Sequence, residues 1–200
     1  MSSSALLAEK KAVRRRLWTH AELCAEMEVT NEFIELWDGH LIISPTPQFP
    51  HYSVVQRLED AWELYVERRK LGRVFHAPLD VVLSPTLVLQ PDIFFIYRNR
   101  LNIVKDYVYG PPDLLVEVVS PNRPRRDYKD KKEKYEAHGV REYWIVDPER
   151  KQIEVWSLKQ DFYQLADYTR AINSPLPCSC PASRFDPINS SRSRGSIFFR

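Results

Sequence analysis

Between His51 and Lys70 the apolar residues Val54, Val55, Leu58, Trp62 and Tyr65 recur at helical spacing, which predicts one amphipathic helix. Gly72 stands where a C-terminal cap is expected. Further upstream, Thr19 with Glu22 three residues on has the spacing of a capping box and predicts a short helix carrying Leu23 and Met27. The other apolar segments are shorter and β-prone. "FIELWDGHLII" reads as a hairpin turning at Asp38-Gly39, and "REYWIVDPERKQIEVWSL" as a second turning over residues 147–150. "RVFHAPLDVVL", "TLVLQ" and "DIFFIY" read as strands, and "DFYQLADY" adds another. Strands outnumber helices, so the expected fold class is α/β in the broad sense: an α+β domain whose mixed sheet is flanked by helices and β-hairpins. That domain is expected over residues 17–173. Residues 1–16, Ser-rich and then basic, read as a flexible arm. Residues 174–200, rich in Ser, Pro and Arg, read as a disordered tail whose removal leaves the domain folded.

One strand-like run, "DLLVEVVSP" at residues 113–121, carries a carboxylate in its middle. Alternation puts Leu115, Glu117 and Val119 on one face and Leu114, Val116 and Val118 on the other. Neither face is polar, so the strand is expected to be buried on both sides. Glu117 then sits among apolar neighbours, where an unpaired charge is costly. An arginine or a metal ion would satisfy it. The following segment, "DYKDKKEKYEAHG", predicts a helix closed by Gly139. At 100° per residue Asp127, Lys131 and Tyr135 form one stripe with Tyr128 and His138, so Lys131 is the lysine carried toward the sheet. Lys129, Asp130, Lys132, Glu133 and Glu136 make a solvated face. Asp92, after Pro91, opens the strand "IFFIY" in what should be the same sheet. Two carboxylates on rigid strands suit a hard divalent cation, because Mg²⁺ commonly takes one or two carboxylates and keeps several waters.

Composition narrows the setting without deciding it. Two hundred residues suit one domain, and 44% hydrophobic with 28% charged residues is ordinary for a soluble globular chain. A net charge of +2 permits a nucleic-acid partner without demanding one. Cys24, Cys178 and Cys180 form no CxxC pair and no metal-ligand array, and so sparse a set fits a reducing cytoplasm. The first residues lack an apolar signal region, and no apolar run approaches the roughly 18 residues that span a bilayer, so no membrane partner is expected. Arg123, Arg125 and Arg126 in "SPNRPRR" lie beside the presumed site, where they could contact DNA phosphates, and Arg14, Arg15 and Arg16 of the arm extend that basic surface.

Taken together, "QPDIFFIY", "GPPDLLVEVVSP", Asp127-x-x-x-Lys131-x-x-x-Tyr135, "HGVREYWIVDP" and "IEVW" resemble the Uma-type putative restriction endonuclease family of the PD-(D/E)XK nuclease superfamily. The likeness starts near "RLWTHAEL", includes "FIELWDGHLIISPTP" and His51, and fades around "SPLP". It implies a restriction-endonuclease-like core in which an aspartate begins one strand and an acidic residue lies on the next. Asp92 and Glu117 match those two positions, as catalytic residues and metal ligands. The superfamily's lysine usually stands two residues after the acidic one, where this chain has Val119. In the family it has moved to the following helix, and Lys131 matches it. Glu35 and His51 match further recurring polar positions and are accessory candidates.

What the resemblance implies is an endonuclease that hydrolyses duplex DNA with Mg²⁺, or Mn²⁺ in its place, and for which a homodimer is open. Lys131 would orient or help deprotonate the attacking water, or neutralise charge on the phosphate. Lys131→Ala is then expected to remove cleavage while leaving the melting temperature nearly intact. Two other readings use the same residues: a non-catalytic DNA-binding or protein-interaction module on a degenerate nuclease fold, and a hydrolase of RNA.

Overall fold

The computed structural model describes residues 16–26, 33–121 and 123–170. The expectations for residues 1–15, for Met27 and for the tail at 174–200 lie outside the described residues. Helix α1 (His20–Glu26) opens as its spacing predicts: the Thr19 amide donates to Glu22 Oε2 at 2.8 Å, and the Glu22 amide donates to Thr19 Oγ1 at 3.3 Å. Arg16, assigned to the arm, instead bridges Glu22 and Glu26 at 2.7 Å each. Strands β1 (Phe33–Trp37) and β2 (His40–Ser44) form the first hairpin. Asp38 and Gly39 take φ of 50° and 83° at its turn, the positive pair that a two-residue connection needs.

Helix α2 (Phe49–Arg69) matches the apolar periodicity, but its cap is not Gly72. Lys70 takes the left-handed conformation, φ 56°, and its amide closes the last turn. Gly72 begins β3 (Gly72–His76), where a Cβ would lie 2.0 Å from the Ile96 carbonyl oxygen. The glycine is there for close approach of two strands, not for a cap.

"RVFHAPLDVVL" is two strands rather than one, and Ala77-Pro78 separates them. Strand β3 joins one sheet and β4 (Val81–Ser84) another. The remaining elements are β5 (Leu87–Leu89), β6 (Ile93–Tyr97), a 3-10 turn at Arg98–Ile103, β7 (Val108–Tyr109) and β8 (Leu114–Val118). A helical segment at 126–137 follows, then β9 (Glu142–Asp147), β10 (Gln152–Lys159) and β11 (Phe162–Arg170). One mixed sheet was the expectation; the described residues form two, ordered β2-β1-β5-β4-β7 and β11-β10-β9-β8-β6-β3. Each is mixed through one parallel pair, β4 with β7 and β8 with β9.

Strand β8 lies inside the larger sheet and is buried at every residue, as its two apolar faces require. Leu115 packs in a cluster with Phe94, Val119, Tyr135 and Tyr143. Leu114, Val116 and Val118 pack in another with Phe95, Trp144 and Trp62 of α2. Trp62 meets Trp144 edge-to-face at 5.0 Å. Glu117 is therefore fixed on a strand held from both sides. Among the described residues no helix is long and apolar enough to cross a membrane.

Candidate active site

A cleft of about 310 Å³ opens where the two sheets meet α2 and the 126–137 helix. The β1–β2 hairpin contributes Glu35 and Ser44, the loop after it Pro45 to Gln48, and the start of α2 Pro50 and His51. Asp92 comes from the residue before β6, Glu117 and Val118 from β8, and Arg123, Arg126, Asp127 and Lys131 from the chain beyond. The structure thus brings together Asp92, Glu117, Lys131, Glu35, His51, Arg123 and Arg126. Arg125 is left out of the cleft: it is exposed, with its Nε 3.8 Å from Asp130.

Glu117 is 2% exposed, and its Oε1 accepts from Lys131 Nζ at 2.6 Å and from the Tyr135 hydroxyl at 2.7 Å. Lys131, 5% exposed, also lies 3.3 Å from Glu35 Oε1. Lys131 is thus paired with two buried glutamates at once. Glu35 is fixed in turn by the Gln90 amide at 3.0 Å, by Trp37 Nε1 at 3.0 Å, and by Arg126 Nη2. The other end of Arg126 donates to Ser44 Oγ at 2.6 Å. Arg126, expected to contact phosphate, is turned inward on Glu35, while Arg123 remains exposed on the cleft wall. Gln90 was not marked by any local pattern. Glu35 carries the same signal as Glu117, a carboxylate between apolar β residues.

Asp92 sits at the bend before β6. Its Oδ2 accepts the Val118 amide at 2.7 Å and stands 3.2 Å from His51 Nε2. His51 Nε2 also lies 2.9 Å from the Val118 carbonyl oxygen. Both of these neighbours are acceptors, so the Nε2 position carries the proton. Burial opposes the charge on His51, but Asp92 outweighs it and raises its pKa.

Four carboxyl groups, Glu35, Asp92, Glu117 and Asp127, share this cleft with the inward cations Lys131 and Arg126. The imbalance registers in their acidities. Burial, reinforced by Asp92, Asp127 and Glu35 and resisted by Lys131, pushes Glu117 up to about 8. Burial likewise pushes Asp127 up to about 6, against Lys131. Glu35 goes the other way: burial works against its charge, but Lys131 and Arg126 outweigh burial and hold its pKa below the ordinary value. Burial also opposes the charge on Lys131, and Glu117, Glu35 and Asp127 overcome it, so the ammonium is held above the ordinary lysine value.

The donor set fits a hard cation in part. The partners of Asp92 meet Oδ2 and those of Glu117 meet Oε1, which leaves Asp92 Oδ1 and Glu117 Oε2 uncommitted among the described residues. Among those residues no three His, Cys, Asp or Glu side chains are arranged to hold a metal ion. Two carboxylates with water completing the shell is a Mg²⁺ arrangement rather than a closed zinc one. His51 Nδ1, Gln90 Oε1 and Arg126 Nε, all on cleft residues, are buried without a hydrogen-bond partner. Unsatisfied polar atoms of this kind mark places where a bound group or water is accommodated.

Comparison with known proteins bears on the family and the fold. A family model described as Uma2, putative restriction endonuclease, matches residues 20–181. Among solved structures, the chain is similar to a putative nuclease belonging to DUF820 from Anabaena variabilis. The TM-score is 0.62 at 20% identity, covering 74% of this chain and 83% of that one, and at that identity the likeness speaks for the fold. No curated protein matches the sequence.

Proposed function

Because this chain belongs to the Uma2 family of putative restriction endonucleases, we propose that it is a Mg²⁺-dependent endonuclease hydrolysing DNA phosphodiester bonds. The observation that carries the reading is the pairing of Asp92 and Glu117 in one cleft, each with an uncommitted oxygen, beside a lysine buried against Glu117. Asp92 and Glu117 would hold Mg²⁺, or Mn²⁺ in its place. When bound, such an ion polarises the scissile phosphate and acidifies a bound water.

The chain's own groups then have separable tasks. Lys131 is a cation held above the ordinary lysine pKa, so it serves to orient water and to neutralise charge on phosphate oxygens rather than to accept a proton. Glu35 is a positioning residue: it holds Lys131 on one oxygen and Arg126 on the other. His51 holds Asp92 through Nε2 and sets the direction of that carboxylate. Arg123, exposed on the cleft wall, is placed to meet a phosphate, and Arg125 could meet one only outside the cleft.

The test is nicking of supercoiled plasmid with Mg²⁺ or Mn²⁺, against EDTA. Wild type is expected to nick only with the ion, and Asp92→Asn and Glu117→Gln to be inactive while still folded. Activity that survives EDTA, or both substitutions, would overturn the assignment.

A further inference from the structure

Tyr135 is fully buried, yet it carries a hydroxyl that none of the tasks above uses. Its ring packs against Tyr143, with centroids 5.3 Å apart, in the cluster that holds Leu115 and Val119. That packing aims the phenol at Glu117 Oε1, 2.7 Å away. A carboxylate only accepts, so the phenol donates. Lys131, four residues earlier on the same helical segment, donates to the same oxygen at 2.6 Å. Lys131 is in turn held 3.3 Å from Glu35 Oε1, so it stays between the two glutamates. A carboxylate oxygen offers about two lone-pair sites. On Glu117 Oε1 both are taken, whereas Oε2 has no partner among the described residues.

We propose that Tyr135 is a positioning residue that restricts Glu117 to holding a cation through Oε2 alone, and that it thereby sets a preference of the cleft for Mg²⁺ or Mn²⁺ over Ca²⁺. This rests on the metal-binding reading above. Mg²⁺ demands a near-ideal octahedron and is served by single carboxylate oxygens and waters. Mn²⁺ accepts the same six-oxygen surroundings. Ca²⁺ takes about six to eight oxygens and readily uses both oxygens of one carboxylate. With Oε1 closed, Glu117 has no second oxygen to give. Asp92 is limited in the same way, since its Oδ2 accepts the Val118 amide at 2.7 Å and faces His51 Nε2 at 3.2 Å. Removing the phenol vacates one lone pair on Glu117 Oε1 and reopens that oxygen to the larger ion.

The experiment titrates the full chain with Mn²⁺, read by the electron paramagnetic resonance signal of the free ion, and repeats the titration in competition with Ca²⁺. Wild type should bind Mn²⁺ more tightly than Ca²⁺. In Tyr135→Phe the ratio of the two affinities should fall by about tenfold, with the circular dichroism spectrum unchanged. Proton competition at Glu117 and any loosening of the fold weaken the binding of both ions alike, so the ratio reads the availability of Oε1. Tyr143→Phe is the control. Its hydroxyl is just as buried but donates to the Asp127 carbonyl oxygen at 2.8 Å, so its ratio should match wild type. The proposal is overturned if wild type binds Ca²⁺ as tightly as Mn²⁺, if Tyr135→Phe keeps the wild-type ratio, or if Tyr143→Phe lowers it equally. Asp92→Asn separates this role from the metal site itself. Mn²⁺ binding that Asp92→Asn abolishes, at a ratio that Tyr135→Phe leaves alone, sinks the positioning role and spares the site. Mn²⁺ binding untouched by both Asp92→Asn and Glu117→Gln, or none in wild type, removes the site and the positioning role with it.

Discussion

Lys131→Ala tests the electrostatic arrangement of the cleft directly. The ammonium is 5% exposed, 2.6 Å from Glu117 Oε1 and 3.3 Å from Glu35 Oε1. Removing one member of a buried ion pair costs about 3–5 kcal/mol, because the partner charge is left without compensation. Two features favour the lower end. Arg126 stays on Glu35, and Glu117, already pushed up to about 8, can take a proton instead of remaining charged. We therefore expect a loss of about 3 kcal/mol, or a fall in melting temperature of about 6–12 °C for a domain of this size. The expectation that this substitution leaves melting nearly intact, drawn from a lysine acting on water or the phosphate alone, does not survive the observed burial.

The assay is thermal and urea unfolding followed by tryptophan fluorescence, since Trp62 and Trp144 are both in the core. Lys131→Ala/Glu117→Gln should recover a substantial part of the loss, because the substitution that removes the cation then also removes the charge it served. Lys129→Ala is the control: its nitrogen is 4.0 Å from Glu133, both are more than half exposed, and such pairs contribute little. A Lys131→Ala variant melting within about 2 °C of wild type, or a double variant no better than the single one, would refute the reasoning.

Three further outcomes follow from particular contacts. Thr19→Ala removes half of the capping box and should cost about 1 kcal/mol in urea unfolding, whereas no loss would mean that α1 adds nothing to global stability. Gly72→Ala would place a Cβ 2.0 Å from the Ile96 carbonyl oxygen, so β3 must shift on β6, at a cost of about 3 kcal/mol; a neutral result would show that the edge strand yields freely. The folded pKa of Glu35 lies below the ordinary value, so its pairing stabilises fully above about pH 4.3 and is lost as pH falls through the lower folded value. The stability gap between wild type and Glu35→Gln should therefore close in acid, and a gap independent of pH would contradict a charged Glu35.

What the sequence revealed was local. The capping box, both hairpins and the two-sided burial of β8 all follow from spacing within a dozen residues, and each is present. Glu117 was legible because a carboxylate inside an apolar β run must have a partner. What pairing decides was hidden. The assignment of β3 and β4 to different sheets depends on strands far away in the chain, and so does the need for glycine at 72, which comes from Ile96. Gln90 joins the site through its backbone amide, which any residue carries, so its identity gave no warning.

The pairing of Arg126 with Glu35 was hidden for a different reason, and that reason bears on how the site is built. Arg126 and Lys131 both reach Glu35, although they are five residues apart. On an α-helix five residues correspond to about 140° of rotation, which would point one of them away. The segment Arg126–Lys131 is instead a π-helix, where hydrogen bonds join residues five apart and bring their side chains to a common side. The α-helix α3 (Lys132–Ala137) continues from it and delivers the Tyr135 hydroxyl to Glu117. The position two residues after Glu117 on the strand is Val119, packed with Leu115, Tyr135 and Tyr143 and closed to a charge. From the helix, Lys131 reaches the strand carboxylate, and the extra residue in the first turn adds an arginine to the same network. One irregular turn thus places two cations on Glu35 and one of them on Glu117, an arrangement that a uniform 100° periodicity cannot express.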